Sequence, residues 1–248
     1  MNKKTVFLAI FLFLFFASIF RVYYQRIGAF GCFDDCFNIT AGYFLTQGKT
    51  IYSDFFFNHQ PLMAYLSILI QTILHPDTLY KLILYHRMFI LAFSLLMNIL
   101  IMTRFRWAGI GFVLFYETTK YYLFGDRFLA EALITYPLVY LFGLLWLKLT
   151  KKQVFGWELV LSGVFTWFIV FLREPFIPTA ILLYSLLIFG PIRRIRIFSL
   201  LTLAILSTLT LFSLNLPDYF FNVMGVNASV EFKINEFIGI KTLKIFAY

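Results

Sequence analysis

Long apolar runs, separated by short polar, glycine- or proline-marked breaks, dominate this chain. The first is Thr5 to Tyr24, preceded by Lys3 and Lys4, and later ones cover 83–103, 107–124, 129–149, 155–172, 176–190 and 197–216. Each is near the ~20 apolar residues that carry an α-helix across the hydrocarbon core. Gly125, Pro175 and Gly190-Pro191 punctuate them where breaks are expected. The pattern predicts an all-α, polytopic membrane protein with about seven transmembrane helices. One further run, Pro61 to Leu74, has about 14 residues and fits an interfacial or re-entrant helix better than a span.

Charge decides how that short run is read. If it does not span and the N-terminus is cytoplasmic, Lys3/Lys4, Arg104/Arg106, Lys148/Lys151/Lys152 and Arg193/Arg194/Arg196 all fall inside. If it spans, every cluster after the first flips outside, against the positive-inside rule. The first topology also sorts the acids, since Glu158 alone of the twelve Asp and Glu residues lies toward the cytoplasmic end of a span. Residues 1–216 then form one transmembrane domain whose outer loop, 25–82, carries juxtamembrane helices, and 217–248 form an outer-face tail. The expected location is the cell membrane, or that of the endoplasmic reticulum in a eukaryote.

Composition agrees. Hydrophobic residues are 61% of the chain and charged ones 13%, which leaves no room for a separate soluble domain. A net charge of +9 would suggest nucleic acid in a soluble protein, but here the basic residues flank apolar runs, and no nucleic-acid partner is expected. The first run lacks an A-x-A-like cleavage site and reads as a retained anchor. Cys32 and Cys36 fit no common zinc spacing and read as packing residues.

The outer loop carries the chemistry. Gly28 and Gly31 break the first span, then Asp34-Asp35 start a short amphipathic helix with Phe37, Ala41, Phe44 and Leu45 on one face. Capping needs one carboxylate and here there are two. That helix is expected on the outer surface with its apolar face in lipid. Asp54 and His59 follow in Tyr52-Ser53-Asp54 and Asn58-His59-Gln60-Pro61-Leu62. Glu117 and Lys120, three apart on one helix face, read as a mutually neutralising pair. Arg87, Glu131 and Arg173 have no evident partner and sit at the same outward level as Asp34, where ionisable groups tend to be paired or functional. Asn38-Ile39-Thr40 and Asn227-Ala228-Ser229 fit the N-glycosylation pattern.

An outward acidic pair after the first span, a juxtamembrane helix ending in Gly, Tyr52-x-Asp54, Asn58-His59-Gln60-Pro61-Leu62 with Tyr65, and an Arg opening the next span together resemble the GT-C superfamily of membrane glycosyltransferases. The resemblance is to its protein O-mannosyltransferase-like and lipid A aminoarabinose transferase-like branches, and it covers most of residues 1–216. It implies that Asp34 is the catalytic carboxylate, with Asp35 completing the acidic pair and Glu131 at a second acidic position. His59-Gln60-Pro61 falls where those families carry His-Pro-Pro or Lys-Pro. Gln60 cannot supply the cation of a Lys-Pro element, so that role would pass to His59, Arg87 or Arg173. Members of the superfamily are longer, which leaves open a partner chain supplying a C-terminal part.

The implied reaction moves a sugar from a polyprenyl-phosphate-sugar donor to a lipid, glycan or protein acceptor at the outer face, with inversion. Asp34 would act as base, Asp35 and Glu131 would orient the acceptor or a divalent metal ion, and Arg87, Arg173 and His59 would receive the phosphate. Gln60 and Asp54 join the substrate-binding set. No nucleotide or redox cofactor is expected. Two other classes stay open: a non-catalytic scaffold or fragment of a split enzyme, and a transporter subunit, for which discontinuous helices with midplane charges would be required.

Overall fold

The computed structural model describes residues 3–227 apart from Phe30, Phe33 and 190–192. Residues 228–248, and with them most of the expected outer-face tail and the Ala228-Ser229 part of the second N-glycosylation motif, lie outside the described residues. The chain forms α1 (Lys3–Ile27), α2 (Asp34–Thr46), α3 (Leu62–Leu74), α4 (Leu79–Phe105), α5 (Trp107–Thr119), α6 (Ala130–Leu149), α7 (Gly156–Leu172), α8 (Ile177–Ile188), α9 (Arg193–Phe212) and α10 (Leu216–Phe220). No strand occurs among the described residues, only an isolated bridge between Ile51 and Phe55.

Local chemistry sets several of these boundaries. Thr78 caps α4, its Oγ1 accepting the Lys81 N–H at 3.2 Å. A left-handed residue, His75, ends α3, and Gly48 at φ +78° ends the turn after α2. The predicted 107–124 run is helical to Thr119 and tightens to a 3-10 turn over Lys120–Leu123. The chain reverses between α4 and α5 through the single residue Arg106, at φ +52°.

Among the described residues four helices are long and apolar enough to cross a membrane: α1, α4, α6 and α9. At 1.5 Å per residue α4 is about 40 Å long, against a core of ~30 Å. The shorter α5, α7 and α8 belong to the same bundle. Successive members of the set α1, α4, α5, α6, α7, α8, α9 run in opposite directions. Asn98 of α4 bonds Glu117 of α5, Phe105 of α4 packs on Tyr140 of α6, and Trp167 of α7 bonds Thr210 of α9. In its apolar stretch α6 is 50% buried, against 11% for α1 and α9, so α6 is the central helix and those two are peripheral.

The two ends of this bundle differ in charge. At one end Arg104 grips Glu158, with Nη2–Oε2 at 2.9 Å, and Tyr140 donates to the same carboxylate at 3.1 Å. Lys148 nearby caps α8 by donating to the carbonyls of Leu186 and Leu187 at 2.7 and 2.9 Å. The basic residues of 104–106, 148–152 and 194–196 gather at this end. Between the ends, Glu117 and Lys120 do pair, at 2.6 Å and buried, and Asn98 and Tyr136 donate to Glu117 at 2.8 and 2.7 Å. A buried pair with its remaining lone pairs satisfied is the arrangement that makes such charges tolerable in apolar surroundings.

At the other end, α2 and α3 pack along each other. Gly42 has no room for a side chain because Ser67 fills the space a Cβ would take. Ser67 Oγ meets His86 Nε2 at 2.7 Å, and Gln71 Nε2 donates to Ser67 Oγ at 3.0 Å and to Ile39 O at 3.1 Å, so α2, α3 and α4 are stitched by one buried network. The expectation that the apolar face of α2 dips into lipid is corrected here. Ala41 is 2% exposed and forms a core with Ile51, Tyr52 and Phe57, against which Phe37 and Leu45 pack. The face is covered by the chain's own 51–57 segment. Residues 214–223 close over that segment: Tyr219 donates to Gln60 Oε1 at 3.0 Å, and its ring meets that of Tyr52 edge to face.

Candidate functional site

A cavity of about 240 Å3 opens at this second end, and residues far apart in sequence line it: Asp34, Asn38, His59, Met63, Glu131 and Arg173, with apolar walls from Leu123, Phe124, Leu129, Ala130 and Leu172. Its size is below the roughly 300–1,000 Å3 of pockets for drug-sized ligands. A small polar headgroup with an apolar neighbour suits it.

Helix starts frame this cavity. Asp34 is the first residue of α2 and Asn38 lies one turn on. Met63 is in the first turn of α3, whose N-cap Pro61 offers no side-chain acceptor. Ala130 and Glu131 open α6, whose N-cap Leu129 offers none either. Each helix start carries a partial positive charge of about +0.5. Three of them contribute about +1.5, set against Asp34 and Glu131 with Arg173 on the other side of the ledger. The summed charge is therefore close to zero or slightly positive, and an anion is acceptable beside two carboxylates.

Arg173 follows α7 in extended backbone and organises the polar wall. Its Nε is 3.1 Å from Glu131 Oε1 and its Nη1 donates to His59 Nδ1 at 2.7 Å. Arginine has no acceptor, so Nδ1 accepts and the imidazole proton sits on Nε2. Burial, and then the Arg173 charge, push the His59 pKa down to about 4. His59 is thus a neutral donor at pH 7. The ring is wedged edge-on against Phe37 and Phe57.

Asp34 and Asp35 have opposite fates. Asp34 is exposed at the cavity, and among the described residues it makes no hydrogen bond or ion pair. Asp35 is fully buried, with Arg87 Nη2 at 3.2 Å and Arg127 Nη1 at 3.7 Å. Arg87 is 2% exposed and is spent on the chain: Nη1 donates to Ala29 O at 2.7 Å, and Nη2 to Gly31 O at 2.6 Å. These bonds fix the segment that leads into α2.

The same segment is closed by a disulfide between Cys32 and Cys36, which corrects the reading of both as packing residues. The first turn of α2 folds Cys36 back toward the entering strand of chain, bringing the Cα atoms to 5.5 Å, within disulfide range. Asp34 therefore stands at a helix start held by a covalent bridge and by Arg87.

Of the residues singled out in the sequence, the cavity brings together Asp34, Glu131, His59 and Arg173. Asp35 and Arg87 lie behind it. Gln60 is buried against Tyr219, and Asp54 staples its own turn by accepting the Thr50 N–H at 2.6 Å. Asn38, which the sequence marks only as part of an N-glycosylation motif, is 3% exposed and donates to Phe128 O at 3.1 Å. Its spacing of four from Asp34 on one helix is the signal that places both in the cavity. Arg127, beside the Gly125 break, carries no local signal in the sequence, and it joins Arg87 at Asp35. Among the described residues no group of three or more His, Cys, Asp or Glu side chains could hold a metal ion.

Comparison with protein-family models, characterised proteins and solved structures gives no match. The functional reading rests on the cavity.

Proposed function

We propose that this chain is an inverting membrane glycosyltransferase of GT-C type that takes a sugar from a polyprenyl-phosphate donor at the non-cytoplasmic face. The carrying observation is the convergence of Asp34, Glu131, Arg173 and His59 on one cavity, at the end of the bundle away from the basic clusters. In this reading all seven alternating helices are passes, with α5, α7 and α8 crossing where protein and lipid adapt to their length. The basic end is cytoplasmic by the positive-inside rule. The Cys32–Cys36 bridge at the opposite end fits an oxidising compartment.

Asp34 removes the proton of an acceptor hydroxyl as that oxygen attacks the anomeric carbon. The bond from that carbon to the phosphate oxygen breaks, the configuration inverts, and the lipid phosphate leaves with the electron pair. Arg173 and the starts of α3 and α6 stabilise the negative charge on the leaving phosphate. Glu131 fixes Arg173, and the His59 Nε2–H donates to the substrate. The polyprenyl chain runs along the apolar side of α3.

The test is transfer from a panel of labelled polyprenyl-phosphate sugars in membranes containing the chain, with Asp34→Asn alongside. Transfer lost in Asp34→Asn supports the reading. Undiminished transfer in that variant removes Asp34 as base, and no transfer from correctly inserted protein favours a scaffold or a partner-dependent subunit.

A further inference from the structure

A second concave surface lies at the basic end of the bundle, away from the cavity. There α4, α5 and α6 enclose a groove of about 280 Å3 with apolar and aromatic walls from Phe105, Ala108, Phe112, Val139, Phe142 and Trp146. Two close helix contacts make its floor. A Cβ on Gly143 would meet the Phe105 ring at 2.5 Å, and one on Gly109 would meet the Ile101 carbonyl oxygen at 2.4 Å. The small residues that could admit a further helix are therefore already occupied, and rigid packing holds the groove in shape. Phe142 and Trp146 are exposed along it. From Val139 to Trp146 the groove runs about 10 Å along α6, at 1.5 Å per residue, toward the basic end.

The charges at its mouth are free. Of the basic residues at this end, Arg104 is tied to Glu158 and to Gln153 O, and Lys148 to the carbonyls that end α8. Arg106, Lys151 and Lys152 are exposed, and among the described residues their side chains make no hydrogen bond or ion pair. Arg106 sits between the groove residues Phe105 and Ala108. Exposed Trp107 and Trp146 mark this level as the headgroup region, where tryptophan collects. The Arg106 backbone, at φ +52° and ψ −123°, is one that glycine takes freely and an L side chain takes only under strain. A cation kept in strained backbone at the mouth of an apolar groove points to a use for its side chain.

We propose that this groove binds an anionic phospholipid, with one acyl chain along Val139, Phe142 and Trp146 and the phosphate held by Arg106, Lys151 and Lys152. The guanidinium fork matches phosphate oxygens, and the two lysines add positive charge at the same end. A zwitterionic lipid fits the groove equally well but carries its own ammonium group, so it gains less from these cations. A second copy of the chain is disfavoured by the same residues, because pairing along this face brings two basic ends together. The site is independent of the glycosyltransferase reading and requires only that the bundle lies in a membrane.

The experiment uses the full chain in a neutral detergent and follows its melting temperature during titration with phosphatidylglycerol or with phosphatidylcholine of identical acyl chains, which gives an apparent affinity for each. Three variants separate charge from groove. Arg106→Gly removes the guanidinium and relieves the backbone, Arg106→Gln removes it and keeps the strain, and Ala108→Trp fills the groove and keeps every charge. Wild type should prefer phosphatidylglycerol, and both Arg106 variants should reduce that preference by about fivefold, the effect of one cation at an anionic lipid surface. Ala108→Trp should weaken binding of both lipids. Without lipid, Arg106→Gly should melt no lower than wild type, so its lost response is not unfolding. An undiminished preference in either Arg106 variant overturns the proposal, as do equal affinities of wild type for the two lipids. Undiminished phosphatidylglycerol binding in Ala108→Trp leaves only diffuse attraction to a basic surface and also overturns it. A wild-type dimer that Ala108→Trp converts to a monomer assigns the groove to a second copy instead.

Discussion

Arg173 donates from Nη1 to Nδ1 of His59 across 2.7 Å, and this contact fixes the tautomer of the imidazole. Burial and the adjacent guanidinium put the His59 pKa at about 4, below the ordinary 6.5. Between those values the unfolded chain binds the proton and the folded one does not, so this group makes stability fall as pH drops from about 6.5 to about 4. Its contribution is flat above 6.5. NMR of histidine-labelled protein should show a neutral His59 at pH 5.5, and Arg173→Gln should move its titration upward while leaving it below 6.5, because burial is the larger cause. A His59 that titrates near 6.5 in wild type would remove the donor role given to Nε2–H.

Neighbouring carboxylates should respond oppositely to the same change. Asp34→Asn alters an exposed group and should shift stability by less than about 0.5 kcal/mol while abolishing transfer. Asp35→Asn strips the partner from a buried Arg87 and should destabilise by about 3–5 kcal/mol. Thermal unfolding in detergent, with transfer assayed in parallel, separates the two.

Opening the Cys32–Cys36 bridge should loosen the entry to α2. The loop it closes is short, so the entropic contribution is about 2 kcal/mol. Dithiothreitol, or the Cys32→Ser/Cys36→Ser pair, should lower the melting temperature and reduce Asp34-dependent transfer more than it reduces binding of farnesol. An unchanged melting temperature would show that Arg87 alone holds the segment.

Gly42→Ala should force α2 off α3, since Ser67 occupies the position of the added methyl and the Ile68 amide nitrogen lies 2.8 Å from it. A cost of about 1–3 kcal/mol is expected. Because α2 carries Asp34 and Asn38 while α3 carries Met63, transfer should fall even where the variant stays folded. Melting curves and turnover of the purified variant read both effects.

Orientation is open to a direct check. Ser53→Cys lies on the cavity end and Lys152→Cys on the basic end. A membrane-impermeant maleimide should label the first in intact cells and the second only after permeabilisation. The reverse pattern would invert the topology and place the cavity in the cytoplasm.

The pairings also show where a sequence stops being readable. Glu117 and Lys120 are three residues apart on one helix, so their neutralisation follows from helical spacing alone. Arg87 and Asp35 are 52 residues apart, and His59 and Arg173 are 114 apart. Which of them meet depends on how α2, α4 and the α7 terminus pack, and no local pattern carries that. Asp34 and Asp35 look equivalent in sequence. A step of one residue, about 100° around the helix, sends one into the cavity and the other into the protein.

By itself, the sequence determined the all-helical class, the apolar runs and the segregation of basic from acidic residues, because hydrophobic length and charge position are local properties that the bilayer reads directly. It also placed the short 61–74 helix, whose length is set by Pro61 and His75. Only the tertiary structure decided that Arg87 is consumed within the fold, that the cysteines are bonded, and that Arg127 shares Asp35 with Arg87. Each depends on a distance between segments, and those distances are fixed by packing around α6 and by the Gly42–Ser67 contact, not by the order of residues along the chain.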